Sequence, residues 1–332
     1  MRYTITFSLA SLLATSALAE VPRVVTDTVP VHALVATVMG DLGTPELLLD
    51  RGANPHDFQL RPSQAKALAN AALLVWIGPE LTPWLDRALT GLEVNSPRLG
   101  LLATKGTHRQ NFGAGMVESG AEPSGHDHAH DDGHDDGHDP EAKAASADGH
   151  AGHDGHDHSG LDPHAWLDPH NAEVWLSVIA TELGRLDPAN AAIYAANATS
   201  GQADIKALEA ELATALDPIK GKPFVVFHDA YGYFTGHFGL TQTGAVRLGD
   251  ATTPGAARLT GLRNDLGKGT AVCLFPEANH DPAQMAQLAE GSGATLGGAL
   301  DPAGSHLAPG PAAYGDLMRG LAATLVSCLT KR

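Results

Sequence analysis

Three histidines stand in matched surroundings. His56 lies in GANPHDF, His164 in LDPHAWLDPHN and His228 in VVFHDAYGYF, each in or just beyond a loop leaving an extended segment, and each beside Asp or Pro. Three imidazoles on converging loops suit zinc, whereas calcium and magnesium take oxygen ligands. The middle motif carries two candidates, His164 and His170, each behind an Asp-Pro pair. Proline fixes its own φ and pushes the residue before it to extended geometry, so a histidine after such a turn has its direction set before a ligand arrives. His164, between Pro163 and the apolar pair Ala165-Trp166, reads as a ligand; His170, at a helix start, reads as solvent-facing. A lone histidine is usually a satisfied polar residue, and three in matched positions weigh against that.

A second population of histidines has a different character. Nine of the 18 histidines, His126, His128, His130, His134, His138, His150, His153, His156 and His158, fall in quasi-repeats such as HDDGHDDGHD. His-rich tracts point to metal. Spaced by Gly and Asp, these offer many two- or three-donor sites and no rigid frame, so weak, exchanging binding with poor selectivity among zinc, copper and nickel is expected. The plain alternative is a solvated spacer that meets metal incidentally.

A zinc ion on three histidines with an open position is also how a secreted hydrolase activates water. The chain has no HExxH and no GxSxG, and no Glu sits a helical turn from a ligand histidine to act as base. A binding protein is favoured over that enzyme. A metal buffer or chaperone working without a transporter is the remaining alternative.

Composition sets the frame for these motifs. A chain of 332 residues is long enough for two domains with cores of their own. A formal net charge of −17 argues against nucleic acid or an anionic membrane surface as partner. Residues 1–19 have Arg2, an apolar middle and an Ala17-Leu18-Ala19 end, the pattern of a secretory signal peptide cleaved before Glu20. No other run approaches about 20 apolar residues. A soluble, exported protein is therefore expected; its Asp-rich, Cys-poor composition fits a bacterial periplasm, with full secretion the alternative, and a monomer is expected. The two cysteines, Cys273 in TAVCLF and Cys328 in LMRGLAATLVSCL, would form one disulfide in such a compartment, stapling the last helix to a core strand. The alternative, two metal ligands, lacks further donors beside Cys328.

Strands expected over 23–28, 46–49, 73–77 and 98–102 alternate with helices over 29–39, 61–71 and 81–89, which implies βα units and a parallel sheet. From 104 to 160 periodicity vanishes, and a disordered His/Asp-rich insertion of about 106–160 is expected. A helix over 171–186 follows. A long one over 187–216 comes next, with Asp187 as its cap and Pro188 at its first position. A second block has strands over 224–227, 244–246, 271–275 and 294–297, with helices over 253–267 and 281–290. The expected fold is α/β, two lobes each with a mostly parallel sheet flanked by helices. The lobes cover 20–186 and 219–332, and a rigid helix over 187–218 connects them. Ligands of open α/β sheets bind outside the carboxyl ends of strands, so two facing sheets would gather the loops of His56, His164 and His228.

GANPHDFQLRPSQ, LDPHAWLDPHNA, VVFHDAYGYFTGHFGL and CLFPEANHDP, with a His/Asp-rich loop before the second, together resemble the periplasmic zinc-binding components of bacterial zinc ABC importers. These are the ZnuA type within the cluster of metal-binding solute receptors. The likeness runs from residue 23 to the C terminus. It implies two α/β lobes joined by a long helix, zinc as cargo in the cleft, an inner-membrane ABC permease as partner, and His56, His164 and His228 as ligands. Manganese-type relatives carry Glu at the third position, so His228 speaks for zinc, and the two-cysteine pattern fits the same type. Some zinc-type members place a Glu directly before the first ligand histidine, where this chain has Pro55. Relatives in the wider cluster use an Asp before the last helix, which falls on Asp301 in GGALDPAG; Asp301 is the expected fourth ligand, with water as runner-up. Glu277 is a weaker candidate, better suited to orienting a ligand histidine, and Asp229 reads as structural.

Overall fold

The computed structural model describes residues 20–94, 96–114, 116, 160–249 and 254–331. The stretch 1–19, read above as a signal peptide, and the nine histidines from His126 to His158 lie outside the described residues. No helix among the described residues is long and apolar enough to cross a membrane.

Two four-stranded parallel sheets repeat one topology. In the first, β1 (Val24–Thr26), β2 (Glu46–Leu47), β3 (Leu73–Trp76) and β4 (Arg98–Gly100) lie in the order β2-β1-β3-β4. In the second, β5 (Phe224–His228), β6 (Gln242–Arg247), β7 (Cys273–Phe275) and β8 (Thr295–Leu296) lie in the order β6-β5-β7-β8. Every pairing is parallel. β3 and β5 are buried at each position, as continuous apolar runs must be when helices cover both faces of a sheet. Neighbouring side chains still divide by face: Val24 joins the main core while Val25 joins a smaller cluster with Leu74, Trp76 and Trp84.

The helices are α1 (Val29–Met39), α2 (Pro62–Ala69), α3 (Pro83–Gly91), α4 (Pro169–Leu186), α5 (Ala191–Leu216), α6 (Gly232–Phe238), α7 (Ala256–Gly267), α8 (Ala283–Ala289) and α9 (Ala313–Leu329). The main core is continuous across both lobes. It runs from Val31, Val35 and Met39 of α1 through Trp175 and Ile179 of α4 and Ile205 and Leu208 of α5 to Leu317 and Leu321 of α9. A shared core of this kind makes the back of the molecule one block, and leaves the strand-end loops at the front to build a site. Gly201 is the close crossing point within that block. A Cβ added there would stand 2.8 Å from Thr37 Cγ2 and 3.0 Å from Leu176 Cδ1, so the glycine lets three helices approach rather than merely weakening α5.

Several expectations need correction. The connecting helix begins at Ala191, not at 187. Asp187 instead terminates α4, and its buried carboxylate accepts hydrogen bonds from Asn190 Nδ2 (2.7 Å) and Tyr194 Oη (2.9 Å), holding a turn between two helices. α6 forms between β5 and β6, where the expected elements include no helix. Its glycines are poor helix formers, and burial of Tyr233, Phe234 and Phe238 overrides that preference. The segment from 104 is also not free from its start. Thr107 Oγ1 donates to Leu101 O (2.9 Å), His108 N–H to Asn171 Oδ1 (2.6 Å) and Phe112 N–H to Gly160 O (3.1 Å). Residues 104–114 lack helical or strand periodicity, yet tertiary partners fix them.

The disulfide joins Cys273 of β7 to Cys328 of α9, as expected from the cysteine count. It spans 55 residues of sequence, which on the loop-entropy estimate limits the unfolded chain by about 4 kcal/mol.

Candidate metal centre

His228 is the last residue of β5, the strand flanked by β6 and β7, so it projects at the carboxyl end of the second sheet. His56 lies in the turns that follow β2 in the first lobe. Its N–H donates to Asn54 Oδ1 (2.9 Å), and the Pro55 carbonyl accepts from Trp84 Nε1 (2.7 Å), which ties the turn to α3. His164 enters a short 3-10 turn, Ala165–Leu167, ahead of α4. Trp166 in that turn donates from Nε1 to Pro302 O (2.8 Å) and accepts at its carbonyl from Tyr314 Oη (3.0 Å). The turn is thereby locked to the second lobe.

The structure brings the three histidines together. One ring nitrogen from each lies within 4.8 Å of the others, and ring centroids are 5.0 Å apart for His164 and His228, 5.5 Å for His56 and His164, and 5.6 Å for His56 and His228. Tetrahedral Zn–N bonds of about 2.0–2.1 Å set donors roughly 3.4 Å apart, so these donors need to draw in by no more than about 1.4 Å. His164 and His228 are 1% and 4% exposed, and His56 is half-buried. His56 and His164 line a cavity of about 40 Å³ that is also lined by Asn54, Glu277 and Asp301. That volume suits an ion and a water; organic ligands need about 300 Å³ or more.

The carboxylates divide by role. Asp162 Oδ1 accepts both the backbone N–H (3.0 Å) and the Nδ1–H (2.8 Å) of His164. With Nδ1 as donor, Nε2 carries the lone pair a metal needs. Sequence reasoning missed this partner, although the signal was present in an Asp two residues before a candidate ligand histidine. Glu277 Oε2 lies 3.5 Å from His228 Nδ1 and accepts from Tyr231 Oη (3.4 Å). Burial, reinforced by the charges of Glu277 and Asp301, holds the Tyr231 hydroxyl protonated well above its ordinary range.

Asp301 lines the cavity but is not one of the clustered donors. Its Oδ2 accepts from Ser305 Oγ (3.1 Å) and His306 N–H (3.3 Å), organising its own turn. Asp229 accepts from Gly113 N–H (2.8 Å) and Gln242 Nε2 (2.9 Å); burial and the nearby Asp162 push its pKa up. His170 is exposed on the first turn of α4. Both cysteines are taken up by the disulfide.

A family model described as ZnuA, zinc-uptake complex component A periplasmic, matches residues 24–328. The chain is 53% identical over 324 residues to a high-affinity zinc uptake system protein ZnuA of Paracoccus denitrificans, covering 97% of each. It is 36% identical over 327 residues to the protein of that name from Brucella suis, covering 97% of this chain and 96% of that one. Among solved structures, the SBP FpvC from Pseudomonas aeruginosa in complex with Mn2+ superposes with a TM-score of 0.71 at 20% identity, over 93% of this chain and 98% of that one. At that identity the likeness concerns the fold alone. The matched length and the identity to its relatives establish that this chain belongs to the ZnuA family of periplasmic zinc-uptake components.

Proposed function

We propose that this chain is a periplasmic receptor that captures zinc between its lobes and delivers it to an inner-membrane ABC permease. The observation that carries the reading is the convergence of His56, His164 and His228, one ring nitrogen of each lying within 4.8 Å of the others. In this reading the three imidazoles are the zinc ligands, and the fourth position is taken by Asp301 after its turn adjusts, or by water. Asp162 orients His164 and Glu277 orients His228, each supplying a carboxylate behind the ring. The relatives' names concern uptake rather than catalysis. Residues 1–19 direct export and are removed from the mature protein, which works as a monomer, and its acidic charge keeps it from nucleic acid. The insertion's histidines gather further zinc weakly.

Zinc titration of the mature protein against a chromophoric chelator tests this. One tight equivalent is expected, lost on His164→Ala with the fold intact by circular dichroism; undiminished tight binding by that variant would overturn the assignment. Zinc-limited growth that needs both this chain and a permease separates a receptor from a free-standing buffer.

A further inference from the structure

We propose that residues 107–114, which lead into the His-rich stretch, form a strap that joins the two lobes behind His164 and slows the release of metal from the triad. The inference rests on the triad being the metal site. Its centre is Gln110. The Gln110 N–H donates to Tyr233 Oη (3.0 Å), and that hydroxyl donates to the Asp162 carbonyl (3.1 Å). One phenol of α6 therefore ties both the strap and the His164 turn to the second lobe. In return, Asp162 N–H donates to Gln110 O (2.9 Å). The Gln110 side chain places Nε2 3.4 Å from Asp162 Oδ2, the oxygen opposite the one that holds His164.

Further along, the strap reaches the other side of the site. The Phe112 ring centroid is 6.3 Å from that of His164, and Gly113 N–H donates to Asp229, the residue directly after His228. The close approach depends on Gly232, where an added Cβ would stand 2.5 Å from Gln110 Nε2. A carboxylate behind a ligand histidine fixes the ring only if the carboxylate is itself held. Asp162 is held on its second oxygen, its N–H and its carbonyl by Gln110 and Tyr233, which makes these two positioning residues of the centre.

The test uses the full mature chain, Zn2+ alone as probe, and stopped-flow transfer to an excess of chelator. Tyr233→Phe and Gln110→Ala are each expected to retain one tight equivalent and to release it about tenfold faster, the lower end of what partners behind a ligand contribute. The double variant should fall short of the product of the two, because both act through Asp162. Thermal unfolding of the metal-free forms monitors the fold; a purely structural role would lower the midpoint and leave the release rate alone. An unchanged rate in Tyr233→Phe overturns the strap. If that variant loses its fold, an unchanged rate in half-buried Gln110→Ala does so instead. A wild-type chain with no tight equivalent overturns the proposed function itself, a result distinct from either.

Discussion

The turns carrying His56 and His164 share a local design and differ in burial and in what they are anchored to. Asn54-Pro55-His56 and Asp162-Pro163-His164 each fold so that the histidine N–H donates to the side-chain oxygen two residues back, at 2.9 and 3.0 Å. There the likeness ends. The His164 turn is buried, its Nδ1 is held by the same Asp162 oxygen, and Trp166 anchors it to Pro302 across the lobes. His56 is half-buried in a stretch of turns with exposed Arg51 and Asp57 on either side. On the proposed reading, this contrast divides the labour: His164 and His228 would form a preset pair, and His56 would be the ligand that adjusts when metal arrives.

The harshest way to break this comparison is to remove the proposed ligands. His56→Ala and His164→Ala should each weaken zinc by more than about 100-fold, beyond the 10–100-fold typical of partners behind a ligand, as read by chelator competition. If His56→Ala binds as tightly as wild type, the adjustable ligand is not a ligand. The next step removes only the supports. Asp162→Asn should cost about 10–100-fold in affinity, whereas Asn54→Ala, which removes a backbone hydrogen bond, should cost distinctly less. Equal losses would erase the proposed difference between the turns.

A subtler probe concerns the anchored side alone. His237 Nδ1 lies 3.0 Å from Asp168 and Nε2 2.9 Å from Glu209. Both nitrogens can donate only as imidazolium, and the hydrogen bond to Asp168, with Glu209 behind it, raises the His237 pKa. Asp168 also accepts from His108 Nδ1 (2.8 Å). Although burial opposes ionisation of Asp168, its bonds to His237 and His108 hold its pKa below the usual range. A folded pKa raised above the unfolded one stabilises fully below about pH 6.5 and is lost as pH rises through the folded value. Metal-free protein should therefore lose stability relative to His237→Gln as pH climbs from 6 to 9 in denaturant titrations. Parallel curves for the two proteins would show that His237 is not charged in the native state.

The smallest expected effect on the tight site comes from deleting 117–159. Weaker zinc equivalents should vanish and the tight one persist, because the strap of 107–114 remains. A deletion that also takes 107–116 should speed release from the cleft, and indistinguishable rates for the two deletions would count against any role for the anchored stem.

Much of this arrangement was legible in the chain. Apolar runs such as 73–76 and 224–227 mark buried strands, and their alternation with helices implies a parallel sheet, while Pro30 and Gly40 bound α1. The two cysteines had one another as partners. The strap was not legible, since Gln110 and Gly113 follow no periodicity and hold their places only through Tyr233, Asp162 and Asp229. Nor was the placement of Asp301, whose carboxylate is drawn to Ser305 and His306 rather than to the triad.

The sharpest case is a motif that occurs three times. Asn54-Pro55-His56, Asp162-Pro163-His164 and Asp168-Pro169-His170 all make the same short turn, with the third N–H donating to Asp168 Oδ1 at 3.0 Å. Sequence alone determines that much, because proline's fixed φ and a short polar side chain two residues back decide the local hydrogen bond. One copy is buried, one half-buried and one exposed on the first turn of α4. Only the tertiary structure decided which histidines face each other, because that depends on where two sheets and a shared helical core set the loops, over distances no local turn can specify.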